Sequence, residues 1–178
     1  MNEKKAHDAN VNPNDRKPFD WKSKYPIEAR KEIRYEAFYI VGIFLLSFAL
    51  LLANFLGLFA SLFALEDLHA IQFEYIMYFS ASGLLGGIVF GMKFFYRMVA
   101  RGYWTQDRRY WRIFSPIISM CVAFIVGAMA SAGILTSHNS STNTWAVAFG
   151  FFAGYFADEA VGKMYEMATL LFGKTKQK

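Results

Sequence analysis

Residues 37–65 read AFYIVGIFLLSFALLLANFLGLFASLFAL, a run with no charged side chain. As helix at 1.5 Å per residue it reaches about 43 Å, longer than the roughly 30 Å hydrocarbon core of a bilayer. A run of this length and composition is a transmembrane helix that tilts or projects past one face. It starts after a long charged leader, so it reads as a signal anchor that stays in the mature chain rather than a cleaved signal peptide.

Three further apolar runs follow. Residues 75–95 and 113–135 are long enough to cross. Residues 145–157 give only about 20 Å of helix before Asp158, Glu159, Lys163 and Glu166. Over all 178 residues, 55% are hydrophobic and only 19% charged. Soluble proteins carry roughly 45–50% apolar and about 25% charged residues, and here the apolar ones are clustered between charged stretches. An ordinary soluble globule, a disordered chain and a disulfide scaffold are excluded. The expected fold is an all-α polytopic membrane protein with four transmembrane helices.

The connecting segments set the orientation. Lysine and arginine total 19. They fall in the leader up to Arg34, in the second connection from Lys93 to Arg112, and in the tail from Lys163 onward. The first outer connection holds Glu66, Asp67, His69 and Glu74, and the second reads SHNSSTNT over residues 137–144. The positive-inside rule then places both termini in the cytoplasm, with an even number of crossings. The net charge of +5 belongs to this asymmetry. It points to anionic lipid headgroups as partners and not to direct nucleic-acid binding. The pattern is that of a multi-pass protein of the bacterial inner membrane.

Residues 1–24 are expected to form a disordered basic arm. Residues 25–173 hold a juxtamembrane helix opened by Pro26, the four-helix transmembrane domain and an amphipathic C-terminal helix. Residues 174–178 are a basic tail. No internal repeat is visible.

Small residues recur at every fourth position in three runs: Gly83, Gly87 and Gly91; Ala123, Gly127 and Ser131; Ala146, Gly150 and Gly154. Such stripes let helix backbones approach closely in lipid. They imply a tight core of spans two, three and four with span one on its rim, or a face that meets a second copy in a homo-oligomer. Asn54, in the middle of the first run, is expected to clamp another helix through an interhelical hydrogen bond.

Asp158 continues the Gly150 and Gly154 face. With Glu159, and with Lys93 and Arg97 as opposite charges, it forms an ion or gating candidate. The other reading puts both acids at the cytoplasmic interface. In the second connection, Arg101, Trp104, Arg108, Arg109 and Trp111 mix basic and aromatic side chains. That mixture suits headgroup anchoring or a partner surface.

Catalytic chemistry is not legible. His7, His69 and His138 lie on different sides or ends and cannot share a metal. Cys121 has no second cysteine to pair with. There is no nucleophile motif, zinc motif or phosphate-binding glycine loop. The chain is expected not to be an enzyme and to carry no cofactor or metal.

The basic arm, the four compact spans and the terminal segment GFFAGYFADEAVGKMYEMATLLFG, residues 150–173, together resemble the small four-span membrane proteins of bacterial antiphage defence loci. These include the membrane subunit of Kiwa systems and retron transmembrane effectors. The resemblance implies a membrane effector or scaffold subunit that acts with a cytosolic protein partner by sensing infection or disturbing the membrane. It carries no site residues over. The residues alone leave open a small oligomeric channel or transporter that uses Asp158.

Overall fold

A computed structural model describes residues 23–63, 67–132 and 143–172. The described chain is all-α. Its helices are α1 (Ile27–Phe55), α2 (Leu58–Phe63), α3 (Asp67–Arg101), α4 (Arg109–Ser131), α5 (Asn143–Tyr155) and α6 (Ala157–Phe172). Three of them, α1, α3 and α4, are long and apolar enough to cross a membrane.

The helix ends follow from local chemistry. Pro26, in an extended conformation, caps α1, and the charged IEARKEIRYEA segment continues into the apolar run as a single helix. That run does not stay one helix. It stops at Phe55, and Gly57 takes φ 67 before α2 begins. Glycine enters this left-handed region without the Cβ clash that other residues meet. The excess length expected to tilt or project is therefore handled by a break. At the far end of α3, Gly102 has φ 80. Its N–H donates to the Val99 carbonyl at 3.2 Å, and the Tyr103 N–H to the Met98 carbonyl at 3.0 Å. This pair of bonds is the Schellman stop.

α3 is much longer than the apolar run inside it. Asp67–Glu74, which read as loop, forms its first two turns. At 35 residues it extends about 52 Å. It is the central helix and packs against α1, α4 and α5. The contacts give the directions. Phe79, Gly83 and Gly87 of α3 meet Gly127, Ala123 and Ser119 of α4 in turn, so these helices are antiparallel. Phe79 meets Trp145, Gly83 meets Gly154, and Phe90 meets Tyr155, so α3 and α5 are parallel. Asn54 reaches Glu74 while Tyr25 reaches Val99, so α1 runs against α3.

The glycines act at the closest approaches. A methyl group on Gly154 would strike the Gly83 carbonyl, one on Gly150 the Ser82 hydroxyl, and one on Gly83 the Ala123 side chain. Gly87 abuts Ser119, and Gly127 abuts Phe79. Gly91 departs from the expected stripe, because a methyl group there meets nothing within 4 Å. Gly86, off the stripe, instead lies against the Phe151 carbonyl of α5.

The interior packs a few large side chains, Tyr78, Phe79 and Ile88, among many small or polar ones, while the exterior is large and apolar. Ser47, Ser80, Ser82, Ala123 and Ala146 are buried. Phe38, Leu45, Phe48 and Phe55 on α1, and Phe114, Ile117 and Phe124 on α4, are exposed. In water this arrangement would leave a large sticky surface. In a bilayer it is the stable one, since acyl chains solvate the outer side chains and close packing holds the helices.

Candidate functional site

The most constrained chemistry lies where α1, the α3–α4 connection and the start of α4 meet. Glu36 of α1 and Arg112 of α4 form an ion pair whose side chains are only 1% and 2% exposed. Arg112 Nε donates to Glu36 Oε1, and Arg112 Nη2 donates to Glu36 Oε2 at 3.0 Å. Nη2 also donates to the Thr105 carbonyl at 3.1 Å. Trp104 Nε1 donates to the same Glu36 Oε2 at 2.8 Å. The Arg112 guanidinium lies 5.9 Å from the Trp104 ring centroid. Arg112 Nη1 is buried without a hydrogen-bond partner.

Further bonds surround this cluster. Tyr25 Oη donates to the Val99 carbonyl at 3.2 Å and accepts from the Trp104 backbone N–H at 3.2 Å. Tyr39 Oη donates to the Ile113 carbonyl at 3.0 Å. Arg109 bridges to Glu32 at 2.6 Å, with both side chains more than one third exposed. Glu32 and Glu36 are one helical turn apart, as nearly are Arg109 and Arg112, so two acids on α1 face two arginines on α4.

The basic-aromatic residues of the second connection therefore divide. Trp104 and Arg109 are engaged with α1. Trp111 packs edge-on against Phe90 and Phe94 of α3. Arg101 and Arg108 are exposed. The acidic partners Glu32 and Glu36 were missed in the sequence. Their signal was their spacing of four on a helix entering an apolar run.

The ion or gating candidates are not brought together. Lys93 Nζ donates to Tyr155 Oη at 3.2 Å and lies 6.0 Å from that ring's centroid. Arg97 and Glu159 are exposed. Asp158 is half-buried in the first turn of α6, beyond the apolar residues of α5. Burial, and then the neighbouring Glu159 carboxylate, hold its carboxyl above the ordinary range. Among the described residues no ion pair joins Asp158 to Lys93 or Arg97.

Asn54 is buried, and its Nδ2 donates to the Glu74 carbonyl of α3 at 3.0 Å. The interhelical bond is present, while Asn54 Oδ1 is buried without a partner. Among the described residues no group of three or more His, Cys, Asp or Glu side chains is placed to hold a metal. The expected arm over residues 1–22, the outer loop over 133–142 and the tail after residue 172 lie outside the described residues. No family model, curated protein or solved structure matches the chain.

Proposed function

We propose that this protein crosses the bacterial inner membrane four times, with both termini cytoplasmic, and serves as a membrane effector or scaffold subunit for a cytosolic protein partner in antiviral defence. The observation that carries the topology is the alternating direction of α1, α3, α4 and α5. α5 is the fourth passage. It has 13 residues, about 20 Å, and its flanks and neighbours must complete the crossing. This course has the first turns of α1, the α3–α4 connection and α6 at one end of the bundle, and the cationic side chains among the described residues lie on or beside those segments or at the adjoining ends of α3 and α4. Binding of a soluble partner belongs at that end. The defence context rests on the resemblance of the arm, spans and terminal segment.

The channel reading has less support. Backbone contacts at Gly83, Gly86, Gly150 and Gly154 close the seam between α3 and α5. A conduit would have to run between copies. The deciding experiment is affinity purification of the tagged full chain from its native host. A cytosolic protein should co-purify and be lost when residues 1–24 or 158–178 are deleted. Retention by both truncated forms would refute the scaffold reading. Deletion of the gene should raise phage plating efficiency, and an unchanged value would remove the defence assignment.

A further inference from the structure

α1 is held differently from the other helices. α3 meets α5 backbone to backbone at Gly83, Gly86 and Gly154, and meets α4 at Gly83, Gly87 and Gly127 against small or ring side chains. The residues α1 buries are Glu36, Ile40, Ser47 and Asn54, all but one polar. Its outer face, with Phe38, Leu45 and Phe48, is exposed and apolar. In lipid an apolar helix surface gains little by exchanging acyl chains for a protein neighbour. The hold on α1 therefore rests on polar contacts, most of them at the end that carries Tyr25, Glu32, Glu36 and Tyr39.

The attraction within a buried ion pair is largely offset by the desolvation of both charges. Arg112 Nη1 is left unmet in the closed arrangement, and opening would let water reach it along with both charges. We propose that Glu36, Arg112 and Trp104 form a latch. Closed, it fixes the first turns of α1 against the α3–α4 connection. Open, it lets that end of α1 swing outward while the glycine-packed α3–α4–α5 core stays intact. The device does not depend on which partner the protein serves.

The test is a distance measurement between spin labels on the full chain in phosphatidylethanolamine–phosphatidylglycerol vesicles. With Cys121→Ser as background, one label pair sits at Arg34→Cys and Arg101→Cys, exposed sites on α1 and α3. A control pair sits at Phe124→Cys and Phe149→Cys on α4 and α5. Glu36→Gln should add a longer, broader component to the α1 pair and leave the control pair unchanged. Trp104→Phe keeps the ion pair and a ring but removes one donor, and should give a smaller shift in the same direction. Both variants leaving the α1 pair at the original distance would overturn the latch. So would Trp104→Phe broadening both pairs together, since the cluster would then belong to one cooperative core.

Discussion

Glu36 and Arg112 are each expected to matter strongly to stability, because their ion pair is almost wholly buried. Removing one partner of a buried ion pair leaves the other charged and unpaired, which costs about 3–5 kcal/mol. Glu36→Ala and Arg112→Ala are expected to destabilise by that amount in denaturant titration of the detergent-solubilised protein. Glu32→Ala, at a pair with side chains 37% and 35% exposed, should cost less than about 1 kcal/mol. Equal losses at positions 32 and 36 would mean that burial does not distinguish the pairs. Sequence reasoning passed over Glu36 because its neighbours Arg30, Lys31, Glu32 and Arg34 make it look like one more headgroup charge. Nothing local tells which of five charges turns inward. That is decided by Arg112, which lies 76 residues away. Asn54 was easier to single out, because one amide in a long apolar run stands alone.

At the scale of elements, small residues every fourth position announced the helix contacts, and Gly83, Gly87, Gly127, Gly150 and Gly154 all lie in them. The stripe failed at Gly91, which is buried but has no atom within 4 Å of where a methyl group would stand, and at Gly86, which a one-face pattern omits. Because α3 packs on both α4 and α5, its tight surface spans two faces. Gly154→Ala should destabilise by about 1–3 kcal/mol, since the added methyl meets a backbone carbonyl that cannot rotate away. Gly91→Ala should be neutral or stabilising by up to about 1 kcal/mol, as open space and better helix propensity combine. Thermal unfolding of the two variants side by side measures the contrast, and a Gly91→Ala loss as large as that of Gly154→Ala would contradict it. Gly57 was not legible as a break, because the apolar run continues through it unchanged. With φ at 67, Gly57→Ala should cost about 1–2 kcal/mol, read in the same assay.

For the whole molecule, the apolar runs disclosed three long helices correctly, and the basic residues suggested an orientation. What the sequence withheld was mutual arrangement: which helix is central, which run parallel, and where α1 is pinned. Those depend on pairings between distant segments. The orientation itself is open to measurement. A periplasm-active reporter fused after residue 140 should be active, and one fused after Arg108 silent, while the reverse would refute four crossings with cytoplasmic ends. The parallel pairing of α3 with the 13-residue α5 also bears on biogenesis. On the proposed four-crossing course, a segment of 13 residues is too short to cross the hydrocarbon core alone, so its seat would have to exist already when it leaves the translocon. Grafted behind an unrelated helical hairpin, α5 should slip back out of the bilayer. Behind its own α3 and α4 it has a template to settle against, which makes the order of synthesis part of how this bundle is built.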